Sequence, residues 1–385
     1  MRVTLRFALG YALLAFAYSV YYTISRPLYG VDLYGHSFVL FIAGAEYVPA
    51  VFSFLLGSIS DAYGRKKILC LSLLGAIPLA VIFLNENQGV ILLSISLYSF
   101  FYTLAVMISI SVVLERRENI GRNYSIIGLA SGFGWAFGSS LAWFLHEALA
   151  KGIFIFILVS AYITGIYGLF TGYVGDDKKA SRKVLVGLRV VYRNLSWFLP
   201  VLLLAYIGTA MGSNLNAVIL DDKLHSFVED FLSDVITNSR LLYGLFYAGL
   251  PVLIAIPARI IAGKLVDRGK ERTLFISSII AYLLIFPLLP FMSPLIFLLI
   301  WLIPVYPFYD TSIYAISARS TGSHESTISG YISTVTSLAG LLVIIINYIV
   351  YGMGTLAYVA LTALFLLASL AMFLLSGGGK AKTNL

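Results

Sequence analysis

The chain has 385 residues, of which 60% are hydrophobic and only 11% charged. A soluble domain is about 45–50% apolar and about 25% charged, so this composition excludes an array of soluble domains. The net charge of +8 falls in short loops at one side of the apolar blocks and needs no nucleic-acid partner to explain it.

Those blocks are roughly 20 residues each, about the thickness of a bilayer core. In chain order they cover residues 6–24, 37–57, 67–84, 89–114, 124–145, 152–172, 197–219, 241–263, 272–291, 294–317, 327–350 and 355–375. Helix is expected in each, because backbone groups in hydrocarbon must be satisfied within the segment. The first run follows Arg2 and Arg6, as a signal peptide would. It is too long for a signal core and ends in Tyr21-Tyr22-Thr23-Ile24-Ser25-Arg26-Pro27 without a small-x-small cleavage pattern, so it reads as the first membrane helix. Pro49, Pro251, Pro257, Pro287, Pro304 and Pro307 fall inside runs and predict kinks.

With the N-terminus inside, only Arg26, Lys151, Lys223 and Arg240 of the 26 basic residues lie outside. This asymmetry follows the positive-inside rule, supports the helix count and places both termini in the cytoplasm. The localisation expected is the cell membrane, spanned many times, with lipid as the solvent. The basic connection 174–196 reads as a cytoplasmic linker between an N-terminal unit, 1–173, and a C-terminal unit, 197–385. The acidic segment 219–240 lies outside, and Leu224, Phe227, Val228, Phe231, Leu232 and Val235 recur there at helical spacing, which predicts a short surface helix.

Cys70 is the only cysteine, so no internal disulfide is expected. His36, His146, His225 and His324 are scattered over separate loops, which supports neither a metal site nor the clustered groups of a membrane enzyme. No phosphate-binding loop is present to drive transport with ATP. No cofactor is expected.

The stretch Gly57-Ser58-Ile59-Ser60-Asp61-Ala62-Tyr63-Gly64-Arg65-Lys66-Lys67 is a charged, glycine-punctuated turn between the second and third runs. A weaker echo, Gly263-Lys264-Leu265-Val266-Asp267-Arg268-Gly269-Lys270, stands between the eighth and ninth. Glycines permit a tight reversal and close backbone approach. Asp61 at a helix end can cap the next turn or accept from a neighbouring helix N-terminus, where the dipole favours a carboxylate.

Twelve runs in a 6+6 order with this motif resemble the major facilitator superfamily. The family's signature between helices 2 and 3 is matched at Gly57, Ile59, Asp61, Gly64, Arg65 and Lys66, and departs at Ala62, where arginine is usual. The echo matches at Gly263, Leu265, Asp267 and Arg268 and is one residue shorter before Gly269. The resemblance implies an all-α membrane fold of two six-helix bundles related by a pseudo-two-fold axis. It implies a functional monomer that moves a small solute, with protons as a candidate coupling ion, by alternating access. It also implies that the motif latches the two halves in the outward-facing state, with Asp61 and Arg65 carrying that role. The fifth run carries Gly128, Gly132, Gly134 and Gly138 at small-xxx-small spacing, which lets helices approach closely. It has no proline, and the fourth run has no arginine, both of which the family's drug–proton antiporters carry.

Ionisable groups within membrane helices are costly and mark function. Glu46 in the second run, Arg259 in the eighth and Asp310 in the tenth qualify, with Glu46 and Asp310 as candidates for proton coupling or solute contact, and Arg259 within range to pair with Asp310. Tyr206, Thr209, Ser213 and Asn216 form one polar face on the seventh run. In the resembled family helices 1, 4, 7 and 10 line the central path. The first run offers Tyr18 and Tyr22 beside Tyr11, the fourth Tyr98 and Tyr102, and the tenth Tyr306 and Tyr314 flanking Asp310. An aromatic, sparsely charged cavity suits a neutral or amphiphilic solute. The alternatives are an uncoupled facilitator, a multisubstrate drug exporter of the same fold, and a transporter-like membrane sensor.

Overall fold

The computed structural model describes residues 4–35, 37–115, 119–173, 183–231, 245–321, 324–350 and 353–376. Twelve helices there are long and apolar enough to cross a membrane. Numbered in chain order, they are span 1, Leu5–Tyr29; span 2, Phe38–Tyr63; span 3, Arg65–Leu84; span 4, Gln88–Leu114; span 5, Ile120–Ala148; and span 6, Lys151–Gly172. Span 7, Phe198–Phe227, span 8, Leu245–Asp267, span 9, Glu271–Phe291, span 10, Pro294–Thr321, span 11, Glu325–Val350, and span 12, Gly354–Leu375, complete the set. Each expected run therefore appears as a helix. Large apolar side chains such as Phe156, Leu284 and Ile349 face outward, as they must when lipid is the solvent.

Local chemistry sets the ends. Thr4 caps span 1: its Oγ1 accepts from Phe7 N at 3.2 Å and donates to the Gly172 carbonyl at 3.0 Å. Asn87 Oδ1 accepts from the amides of Gly89 and Val90 at the start of span 4, satisfying donors that a helix leaves open. Prolines interrupt as expected. Span 2 is broken after Ala50, next to Pro49, and resumes at Ser53. Span 10 is broken between Trp301 and Tyr306, around Pro304. At the far end of span 1 the backbone widens into a π-helix, Arg26–Leu33, at Pro27.

Span 1 packs on spans 5 and 6, and span 7 packs on spans 11 and 12. Spans 2 and 11, and spans 5 and 8, make the main contacts between the first six spans and the last six. The small residues of span 5 serve two neighbours. Gly134 and Gly138 face span 1, while Gly128 makes room for the Arg259 side chain of span 8.

Three expectations change. The motif Gly57–Asp61 is not in a turn: span 2 runs helically to Tyr63, and the reversal is made by Gly64 alone, at φ 106°. Apolar content falls two helical turns before the backbone stops, because these last turns bury polar groups against protein. The segment after residue 219 is no separate surface helix, since span 7 continues unbroken as helix Phe198–Phe231; Leu232 and Val235 lie outside the described residues. In the basic connection, Val184–Leu195 forms a helix. Its buried residues Gly187, Val191 and Leu195 fall on one face, and it is held at both ends. Ser58 Oγ donates to the Val184 carbonyl at 2.6 Å, and the Tyr331 hydroxyl donates to the Leu195 carbonyl at 2.9 Å.

A Cβ at Gly134 would meet the Ala12 carbonyl of span 1, whereas one at Gly152 would meet nothing. Gly134→Val is therefore expected to lower the melting temperature of the solubilised protein by several degrees, and Gly152→Val to leave it unchanged, as read by intrinsic fluorescence during heating.

Candidate functional site

Asp61 is buried in the last turn of span 2 and aims at the amino end of span 11. Its Oδ1 accepts from the Ser326 amide at 3.2 Å. Its Oδ2 accepts from the Thr327 amide at 2.9 Å and the Thr327 hydroxyl at 2.8 Å. Four amides at a helix start lack intrahelical partners, and the helix dipole adds positive potential there, so this carboxylate is held by another helix rather than its own. Gly57, one turn earlier, lies against the Ser326 carbonyl, where any Cβ would collide. Arg65, the first residue of span 3, sits among three carboxylates: Asp61 at 3.0 Å, Glu325 at 2.7 Å and Glu115. Lys66 is placed over the Tyr173 ring, 5.3 Å from its centroid. Ala62, where the resembled motif carries arginine, is buried.

The echo repeats the arrangement. Asp267, the last residue of span 8, accepts from the Gly121 amide at 2.8 Å and the Arg122 amide at 3.0 Å, at the start of span 5. Gly263 packs against Gly121, and the Ser125 hydroxyl donates to the Arg259 carbonyl at 2.6 Å. The cation differs. Arg268 is exposed and makes no ion pair among the described residues. Arg319 of span 10 stands in that neighbourhood, bonded to Glu271 at 2.6 Å and to the Val266 carbonyl at 2.8 Å. Glu115, Glu325 and Arg319 were not singled out from sequence, and no local pattern marks them.

A cavity of about 470 Å³ lies between spans 5, 7, 8, 9 and 10. It reaches from Tyr247 and Trp301, near the starts of spans 8 and 10, to Arg259, which is 12 residues or roughly 18 Å along span 8. Spans 8 and 10 end beside the Asp267 and Arg319 contacts, so the cavity occupies the far end and the middle of the molecule. A smaller space of about 210 Å³, lined by spans 2, 7, 9, 10 and 11, shares Ser213, Tyr282, Tyr306 and Asp310 with it.

Of the expected lining residues, Arg259, Asp310, Tyr206, Thr209, Ser213 and Tyr306 are brought together here. Arg259 and Asp310 do not pair within 4 Å; the Arg259 guanidinium instead lies 4.9 Å over the Tyr306 ring. Asn216 does not line the cavity and donates to the Gly212 carbonyl of its own helix at 2.8 Å. Tyr314 packs on Tyr124 of span 5, with ring centroids 4.9 Å apart. The tyrosines of spans 1 and 4 stack on each other and line neither of these two cavities. Tyr18 and Tyr102 are 4.0 Å apart and nearly parallel, and fully buried Tyr98 meets Tyr21 edge-on at 5.1 Å.

Glu46 also stands apart from the cavity. It forms an ion pair with Arg26 at 2.6 Å and accepts from the Tyr21 hydroxyl at 2.8 Å. Arg26 covers the Tyr22 ring at 3.5 Å, and Tyr22 meets Trp135, a cavity residue, at 5.4 Å. In the sequence Arg26 is only an outer loop charge. The π-helical extension of span 1 carries it back over the protein interior. Tyr47, Trp135, Tyr247, Tyr282 and Trp301 are lining residues that sequence reasoning missed. Pro304 was the available signal, since an interrupted membrane helix marks a binding region.

The fold and its cavity define a many-spanned membrane transporter, closed at one end. The family profile of the Major Facilitator Superfamily matches residues 4–344. The chain belongs to that superfamily. Among solved structures it is similar to a variant of the nucleoside transporter NupG, at TM-score 0.69 and 16% identity over 97% of this chain and 100% of that one. It is similar to the human organic anion transporter MFSD10 (TETRAN), at TM-score 0.66 and 16% identity over 98% of each chain. It is also similar to a bacterial homologue of the iron transporter ferroportin in an outward-facing state with soaked iron, at TM-score 0.72 and 13% identity over 98% of this chain and 100% of that one. At these identities the likeness concerns the fold. No curated protein matches the sequence.

Two outcomes follow. Replacing both Asp61 and Asp267 by asparagine removes the charge that each helix N-terminus holds, worth about 1.5–3 kcal/mol per charged hydrogen bond. In a Cys70→Ser background with Ser213→Cys, an impermeant maleimide applied from the side of Asp61 and Asp267 should label several-fold faster in the double variant. Glu46→Gln strands Arg26 without its carboxylate and should lower the melting temperature. Adding Arg26→Gln should recover part of that loss, the coupling expected of a buried pair.

Proposed function

We propose that the chain is a secondary transporter that carries a small solute across the cell membrane by alternating access, with the cavity around Asp310 as its solute site. The observation that carries this reading is the polarity of the molecule. Two carboxylate-to-helix contacts join the units at one end, and a cavity holding Asp310, a carboxylate without an ion pair among the described residues, lies toward the other. The positive-inside asymmetry puts the latch end and both termini in the cytoplasm, so the conformation is outward-facing. The two units, 1–173 and 197–385, rock about the midplane site while the segment 174–196 ties them on the inner side. The protein acts as a monomer and is not an enzyme.

Asp310 is the residue we assign to coupling. It sits in span 10 one turn beyond the Pro304 break, on the wall common to both cavities. Its carboxylate is free to exchange a proton or a cationic group of the solute as the two units move. Glu46, tied to Arg26 and Tyr21, supports span 1 against span 2.

Purified protein screened by thermal shift against sugars, amino acids, organic acids and hydrophobic drugs should be stabilised by one class. That solute should accumulate in proteoliposomes under an imposed proton gradient, with accumulation abolished by a protonophore. Accumulation that only equilibrates, unaffected by the protonophore, would indicate a facilitator. Asp310→Asn should lose gradient-driven accumulation. If Asp310→Asn and Glu46→Gln both retain it in full, neither carboxylate couples transport to protons.

A further inference from the structure

Arg259 is 9% exposed and lines the cavity, and its Nε is buried without a hydrogen-bond partner. No carboxylate lies within 4 Å of it among the described residues. Gly128 leaves the space its guanidinium occupies, and the Tyr306 ring supports it from one side at 4.9 Å. Asp310 follows Tyr306 by four residues on span 10, so their Cβ atoms are neighbours about 5–6 Å apart on one face. A cation fixed over Tyr306 and a carboxylate one turn further on thus face one space, of opposite sign and not joined in an ion pair among the described residues. Burying a charge without a partner is unfavourable, and two such charges on one cavity wall complement a solute that brings both partners.

From this we infer that the solute is a zwitterion, with a cationic nitrogen held at Asp310 and an anionic group held at Arg259, and with an apolar or aromatic body. The inference rests on the cavity being the solute site. The remaining walls supply the body's surroundings: Trp135 from span 5, Trp301 and Tyr247 at the far end, and Phe286 from span 9. A simple organic cation would meet Arg259, and a simple anion would meet Asp310, each at the cost of like-charge repulsion. A polyol would leave both charges without counter-charges. It would also find no asparagine or glutamine among the lining residues described, side chains that offer a donor and an acceptor together. The residues that set specificity are therefore Asp310 and Arg259 jointly, and the preference of each is separable by charge.

The test uses the full chain in lipid nanodiscs and ligands that share a phenyl body: L-phenylalanine as zwitterion, phenethylamine as cation and 3-phenylpropanoate as anion. β-Alanine and γ-aminobutyrate vary the charge separation, and glucose serves as a neutral polyol. At least one zwitterion should bind saturably, at least about tenfold tighter than either singly charged phenyl analogue, the effect of one lost charged hydrogen bond. Asp310→Asn should weaken the zwitterion and phenethylamine while sparing 3-phenylpropanoate. Arg259→Gln should do the reverse, so a variant that merely failed to fold would not reproduce the pattern. Asp310→Glu and Arg259→Lys, checked by melting temperature, should retain part of the zwitterion preference. Binding of phenethylamine, 3-phenylpropanoate or glucose as tight as that of every zwitterion would overturn the inference and leave the transporter reading intact. Absence of binding to any of the ligands, together with absence of accumulation of any solute class in proteoliposomes, would overturn both.

Discussion

Asp61 and Asp267 each close the amino end of a helix that comes from the other six spans. The rest of the architecture depends on this reciprocal contact. Lipid tails are as apolar as leucine, so no hydrophobic force drives one group of membrane helices against the other. Cohesion must come from close packing and from polar groups that have no better partner. A helix start with open amides and a carboxylate with no water to turn to satisfy each other. Because Asp61 serves span 11 and Asp267 serves span 5, the joint is two-sided and brings spans 2 and 11, and 5 and 8, into register together.

The two sides are not equal. Arg65 is shared among Asp61, Glu115 and Glu325, so spans 2, 3 and 11 and the end of span 4 meet at one guanidinium. On the other side Arg319 reaches a single carboxylate and a backbone carbonyl, while Arg268 is exposed. The helix Val184–Leu195 braces the stronger side, bonded to Ser58 of span 2 and Tyr331 of span 11. Charge neutralisation is thus concentrated where the match to the motif is longer, and the echo relies on the amide contacts themselves.

Polarity at the cavity is handled in the opposite way. Glu46 is neutralised by Arg26 and Tyr21, and the tyrosines of spans 1 and 4 are consumed by stacking. Asp310 and Arg259 are left facing open volume, on a wall that includes Pro304 in the break of span 10. Within one membrane fold, then, some buried charges are closed off as structure and others are kept available.

The number of spans and their order were legible in the sequence, and so were Asp61, Arg65 and Asp267, whereas Glu115, Glu325 and Arg319, which meet them or stand beside them, were not. Hydropathy over some 20 residues is a local property that the bilayer reads directly, and the repetition of glycine and aspartate at the ends of two runs is visible in neighbouring residues. Tyrosine periodicity on spans 1 and 4 was legible too but ambiguous: a stacked interior and a cavity wall place aromatic rings on the same helical face. Asn216 shared the polar stripe of Tyr206, Thr209 and Ser213, yet it turned to its own backbone. The helix within 174–196 escaped because a short amphipathic segment has no hydropathy block to announce it. By itself the sequence determined a twelve-span membrane protein with a charged motif and its echo, because each of those features is written in neighbouring residues. Only the tertiary structure decided which groups are partners. Asp61 meets Thr327 across 266 residues and Arg65 meets Glu325 across 260, and in lipid it is the partner, not the residue, that separates a satisfied charge from one that faces a cavity.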